Sequence, residues 1–159
     1  MEDCVLFLDF DGVLRPIRER GAVAYAAQMS NREALLWADI LSEMLEPYAE
    51  VRILVSSDRR FSANDDILTA LLGPLGWRFS GIVENYDESS RAKEIWTEAS
   101  NRRLTRWLAI DDHPSVSEAS TNEPRFIVCE PNLGLSSPLV QNEIRKKLLA
   151  LLGRTGGAH

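Results

Sequence analysis

Two cysteines and two histidines are all that 159 residues hold of the usual soft-metal and redox ligands. Cys4 and Cys129 lie far apart, and neither has a neighbour at zinc-type spacing. Both read as small buried hydrophobes inside strands rather than as a redox pair. Long apolar runs are missing too: no stretch approaches the roughly 18 residues that a bilayer-spanning helix requires, so no membrane association is expected. Positive charge is not in excess. The formal net charge is −6, which argues against tight nonspecific nucleic-acid binding through a basic surface. Met1-Glu2-Asp3 offers no basic region ahead of the first apolar run, so the expected location is cytoplasmic without a targeting segment.

What is present is ordinary for a globular protein, with 45% hydrophobic and 26% charged residues. The length suits one domain with one sizeable core, expected over 1–153 with a flexible tail at 154–159. Strand-like apolar runs fall at 4–10, 51–55, 79–83, 106–110 and 125–129. Helical patterns lie between them. Ser30 with Glu33 forms a capping box opening a helix that carries Leu35, Leu36, Ile40, Met44 and Leu45 and ends near Pro47. Further helices are predicted over 63–72 (apolar stripe Ile67, Leu68, Leu71, Leu72), 90–100 and 139–152 (Val140, Ile144, Leu148, Leu151). Residues 15–29 show no clean period and read as a loop. Strands separated by helices of this length imply right-handed parallel crossovers: a three-layer α/β/α sandwich around a five-stranded parallel sheet.

The most informative stretch is Asp9-Phe10-Asp11-Gly12-Val13, which closes the apolar run Val5-Leu6-Phe7-Leu8. Two carboxylates one residue apart, followed by a glycine that permits a sharp turn, put negative charge at a strand's carboxyl end, where open α/β sheets bind ligands. Carboxylates this close repel, which calls for a bound cation or a shared proton. Later strands end comparably: the second in Ser56-Ser57-Asp58-Arg59-Arg60, the fourth in Asp111-Asp112-His113-Pro114. In a parallel sheet these ends share one edge, so residues a hundred apart in sequence converge. Oxygen-only ligands of this kind suit a hard cation such as Mg²⁺.

In their order, these motifs resemble the haloacid dehalogenase (HAD) superfamily, whose fold is a Rossmann-like α/β sandwich, over about residues 5–136. Phe7-Leu8-Asp9-Phe10-Asp11-Gly12-Val13-Leu14 matches its first motif, Ile53-Leu54-Val55-Ser56 its second and Leu108-Ala109-Ile110-Asp111-Asp112 its fourth. For the third, a Lys or Arg before the last strand pair, both Arg91 and Lys93 fit. Within the superfamily the sequence is similar to the small HAD domains of Swiss Army Knife RNA-repair proteins. These read Ser-Ser-x-Trp-Arg, Arg-x-x-Glu-Ile and Leu-Asp-Asp where this chain has 56–60, 91–95 and 110–112. The Trp is Arg59 here, Glu94-Ile95 favours the Arg91 register, and Gly134-Leu135-Ser136 resembles a Gly-Leu-Thr element.

The resemblance implies a Mg²⁺-dependent phosphatase hydrolysing phosphomonoesters. Asp9 would attack phosphorus and form an aspartyl-phosphate, and Asp11 would act as acid and then base. Ser56 and Arg91 or Lys93 would hold the phosphoryl oxygens, with Gly12, Ser57 and Arg60 in substrate contact. Asp9, the Asp11 carbonyl and Asp111 would hold the metal, with Asp112 behind them or in place of one. Between Leu14 and Ser30 there is too little chain for a cap domain, so an open site is expected. It would take a phosphorylated small molecule, a nucleotide or a nucleic-acid end. Arg15, Arg18 and Arg20 read as surface charges and His113 as a turn cap beside Pro114. The rival readings are a phosphotransferase and a noncatalytic HAD-fold binding or regulatory domain. The sequence leaves the oligomeric state open.

Overall fold

The structure is a computed structural model that describes residues 4–16, 36–84 and 90–153. Five strands form one sheet: β1 (Cys4–Leu8), β2 (Val51–Val55), β3 (Phe79–Ile82), β4 (Trp107–Asp111) and β5 (Phe126–Val128). Every pairing is parallel and the order is β3-β2-β1-β4-β5. The chain belongs to the α/β class its sequence pattern announced. β1 and β4 are buried at every position, as expected of parallel strands covered on both faces.

Side-chain alternation divides the core in two. Leu6, Leu8, Ile53, Val55, Leu108 and Ile110 point to one face. There they meet α1 (Ala38–Leu45), α2 (Asp65–Leu71) and α5 (Pro138–Leu152). Val5, Phe7, Leu54, Trp107 and Ala109 point to the other, covered by α3 (Arg91–Asn101) and α4 (Pro114–Ala119). On that face Trp107 lies 5.4 Å from Phe7 and 5.8 Å from Phe126, centroid to centroid.

Local chemistry sets the helix starts. Asn64, Ser90 and Ser137 each accept a backbone N–H from the first turn of α2, α3 and α5. α5 stops at Gly153, whose φ is +69°. Of the expected stripe Leu68, Leu71 and Leu72 are buried, while Ile67, one position before Leu68 on α2, is 47% exposed. Leu36 is likewise exposed and precedes α1 rather than lying in it. α4, and the 3-10 turns Asp58–Phe61, Gly73–Arg78 and Gly134–Ser136, were not anticipated, being too short to show a period. The Ser30–Glu33 capping box, most of the predicted loop at 15–29, Arg18, Arg20 and the tail at 154–159 fall outside the described residues. Among the described residues, no helix is long and apolar enough to cross a membrane.

Candidate active site at the carboxyl edge of the sheet

Register brings the polar strand ends to one level. Leu8 pairs with Val55 on one side and Ile110 on the other, so Asp9, Ser56 and Asp111 come next along three adjacent strands. The Asp9 N–H donates to the Ile110 carbonyl at 3.2 Å and the Ser56 N–H to the Leu8 carbonyl at 3.0 Å. With this strand order the direction of winding reverses between β1 and β4, and there a doubly wound sheet opens a crevice. Asp9 and Asp111 flank that point.

Carboxylate oxygens of Asp9, Asp111 and Asp112 all lie within 4.8 Å of one another. Asp9 and Asp111 are buried and Asp112 is half-buried. Burial first, then the Asp111 charge, pushes the Asp9 carboxyl well above the usual carboxylate range, and a hydrogen bond with the Asp112 carboxyl adds to this. Asp112 is also raised, chiefly by its own burial and by Asp111. A divalent cation would relieve this crowding, and a set made only of carboxylate oxygens fits a hard ion such as Mg²⁺. Main-chain amides fix two of the ligands: Phe10 N–H donates to Asp9 Oδ1 and His113 N–H to Asp111 Oδ1, both at 2.9 Å. Gly12 serves by having no side chain. Its φ is +86°, and a Cβ there would meet Asp112 Oδ2 at 2.3 Å.

The positive partner is Arg91, at the first position of α3 and buried. Its Nη1 lies 2.9 Å from Asp111 Oδ2 and 3.5 Å from Asp9 Oδ1, and its Nη2 lies 3.0 Å from Asp58 Oδ1. Burial pulls the guanidinium pKa down, but Asp111, Asp9 and Asp58 outweigh that and hold it above its ordinary value. Lys93, two residues along the same helix, is exposed; two residues is about 200° around a helix, which takes it off the Arg91 face. Of the two cations the sequence offered, Arg91 alone reaches these carboxylates. Ser56 Oγ is buried without a hydrogen-bond partner among the described residues, a condition that needs an explanation in any site.

One expectation needs correcting, that Arg15 is a surface charge; Arg60, Ser57 and Asp11 have the following partners. Arg60 does not extend toward the carboxylates. Its side chain is fully buried, with Nε donating to the Val83 carbonyl at 2.8 Å and Nη1 to the Ser56 and Ser57 carbonyls at 2.7 and 3.1 Å. Its Nη2 lies 3.2 Å from Glu94. Ser57 caps the following 3-10 turn, its Oγ accepting from the Arg59 N–H at 3.2 Å. Arg15 is a buried residue rather than a surface charge, with Nε 2.7 Å from Asp11 Oδ1. The Asp11 carboxylate is thus not one of the three that gather; it stands between Arg15 and Arg59, whose Nε is 3.4 Å from Oδ2.

Sequence reasoning missed Asp58 and Arg15. Both carried a signal: Arg15 lies four residues past Asp11, and Asp58 sits in the turn directly after the second strand's serines. His113 does cap the turn, its ring Nδ1 accepting the Ser115 N–H at 3.1 Å at the start of α4. Gly134, with φ +45°, packs where a Cβ would fall 2.6 Å from the Val13 carbonyl, and Leu135 N–H bonds that carbonyl at 3.0 Å. The loop after β5 is so fastened to the loop after β1.

Against known families, residues 5–140 match the model of the HAD domain in Swiss Army Knife RNA repair proteins. The chain belongs to that family. No curated protein and no solved structure matches it. As a HAD domain it carries its acidic strand ends at the edge where the fold opens its crevice, with Arg91 beside them at the start of α3.

Proposed function

We propose that this HAD domain is a Mg²⁺-dependent phosphatase that hydrolyses phosphomonoesters through an aspartyl-phosphate on Asp9. The observation that carries the reading is the convergence of Asp9, Asp111 and Asp112 with Arg91, beside a buried Ser56 hydroxyl that has no partner among the described residues. A nucleophilic carboxylate must be ionised and desolvated, yet held against its neighbours by compensating charge. Burial desolvates Asp9 at a cost to its ionised form, and Arg91 supplies the charge that favours ionisation.

Asp9, Asp111 and Asp112 would hold the ion, together with the Asp11 carbonyl that the family pattern implies. Bound there, Mg²⁺ would supply positive charge for the phosphoryl oxygens and for the crowded carboxylates. Arg91 donates from the start of α3, with Nη1 already within reach of both Asp9 and Asp111. The Ser56 hydroxyl supplies a donor for a phosphoryl oxygen. Fixed donors aimed at spread charge are the main requirement of phosphoryl transfer. Asp11 gives a proton to the leaving oxygen, then takes one from the water that opens the acyl phosphate.

The shortness of the segment between Leu14 and Ser30 favours water as the second acceptor, hence hydrolysis over transfer to another substrate. It also suits a bulky substrate such as a nucleotide or nucleic-acid end, in keeping with the family's RNA-repair setting. The test is phosphate release from p-nitrophenyl phosphate with and without Mg²⁺. Activity is expected only with the metal and is expected to vanish in Asp9→Asn. Equal turnover by that variant would reject the assignment.

A further inference from the structure

Two adjacent side chains of opposite sign leave the turn after β2 and grip two different site residues. Asp58 Oδ1 lies 3.0 Å from Arg91 Nη2, and Arg59 Nε lies 3.4 Å from Asp11 Oδ2. The turn itself is held rigidly. Arg60 ties it to the carbonyls of Ser56, Ser57 and Val83 and to Glu94 on α3, so the ends of β2 and β3 and the start of α3 are all stapled to this one short segment. Ser57 Oγ caps its first turn.

We propose that the 58–60 turn is a clasp, anchored by Arg60, in which Asp58 and Arg59 are positioning residues for Arg91 and Asp11 respectively. This inference rests on the phosphatase reading for its kinetic consequence, though not for its structural one. A guanidinium bound at one nitrogen can still swing about that bond. Bound at Nη1 by Asp111 and at Nη2 by Asp58, the planar fork of Arg91 has its orientation set at both ends. Asp58 is poorly suited to a role in stability: its side chain is 81% exposed, and exposed ion pairs add little. Its worth lies in direction. Arg59 plays the corresponding part for Asp11 from the other side of the turn, sharing the carboxylate with Arg15, so that both oxygens are engaged. The position that carries a Trp in the family pattern thus delivers a charge in this chain, and the neighbouring variable position delivers its opposite.

The experiment compares Asp58→Asn, Asp58→Glu, Arg59→Gln and Arg59→Lys with the wild type in Mg²⁺, alongside Asp9→Asn. Asp58→Asn and Arg59→Gln are expected to melt with the wild type while losing about tenfold in kcat with little change in KM, the signature of misplaced catalytic groups. The charge-preserving variants should recover most of the loss. A second reading needs no turnover: in side-chain NMR, the Nη groups of Arg91 should rotate slowly in the wild type and faster in Asp58→Asn. A kcat untouched by Asp58→Asn and Arg59→Gln, a change in KM alone, or Arg91 signals identical in wild type and Asp58→Asn would each overturn the clasp. Should Asp9→Asn match the wild type in turnover, the phosphatase reading falls, and the NMR comparison then decides the clasp by itself.

Discussion

Two buried arginines lie at opposite edges of the same sheet, and their surroundings differ in kind. Arg78, at the amino edge, donates to three neutral carbonyls: Nη1 to those of Tyr48 and Val51 at 2.8 and 3.0 Å, and Nη2 to that of Leu45 at 2.8 Å. It fastens the end of α1 to the start of β2, and burial lowers its pKa, a cost that the Glu50 charge offsets only in part. Arg91, at the carboxyl edge, is as deeply buried yet faces three carboxylates and is held above its ordinary value. A buried cation satisfied by carbonyls is scaffold. One set among carboxylates that also repel each other belongs to a site that awaits further charge, since such clusters are costly unless something else binds there.

The sharpest way to break this contrast is to remove each guanidinium in turn. With saturating Mg²⁺, Arg91→Ala is expected to cut kcat by about a thousandfold while melting near the wild type. Arg78→Ala should do the reverse, keeping kcat in the molecules that remain folded but losing roughly 3 kcal/mol of stability, because three carbonyls lose their donor at once. Chemical denaturation and steady-state kinetics on the same two preparations decide it. If both variants lose activity in proportion to stability, the two edges do not differ in the way proposed.

The division between the edges was partly visible in the sequence. Strand-end motifs at Asp9, Ser56 and Asp111 are legible because a continuous apolar run followed by a polar residue marks where a buried parallel strand surfaces. Register then levels them without further information. The choice between Arg91 and Lys93 was open, since spacing of two residues cannot say which face of α3 turns inward; Ala92, Ile95 and Ala99 pack against the sheet, and Arg91 is buried while Lys93 is exposed. Arg60 and Arg78 could not be read as staples, because backbone carbonyls are the same at every position and leave no trace in composition. Arg15 and Asp58 were overlooked for a related reason. Arg15 shares with Asp11 the loop after β1 and Asp58 sits in the turn after β2, where no periodicity constrains direction.

A smaller effect separates the site from the scaffold through metal and pH. Because burial and Asp111 raise the folded-state pKa of Asp9 above that of the unfolded chain, the fold holds this proton more tightly than the unfolded chain does. Its stability, without metal, should therefore fall as pH climbs from the ordinary carboxylate range through the raised value. Asp9→Asn should melt higher than the wild type at neutral pH and flatten that decline. Mg²⁺ should reverse the order by stabilising the wild type, by about 2.7 kcal/mol at a hundredfold excess over its dissociation constant, and should act weakly on Asp9→Asn. Melting curves at pH 5 and pH 7.5, with Mg²⁺ or with chelator, read all four states. A wild type indifferent to Mg²⁺ would mean that the three carboxylates are simply a strained corner.

The smallest effect comes from a scaffold carboxylate whose shift runs the other way. Glu123 sits before β5 with Oε1 2.8 Å from Arg125 Nη2 and accepting from Trp96 Nε1 at 3.1 Å. Its hydrogen bonds with Arg125, working against burial, hold it down to about 2. A depressed carboxylate stabilises the fold above the ordinary glutamate range and loses that contribution as pH falls toward its folded value. Glu123→Gln should therefore flatten the acid limb of the stability profile between those limits, by under about 1 kcal/mol because Arg125 is partly exposed. Unlike Asp9→Asn, it should leave the response to Mg²⁺ unchanged. A Glu123→Gln protein that also lost its metal-dependent gain in melting temperature would link β5 to the site, and the contrast between the two edges would have to be redrawn.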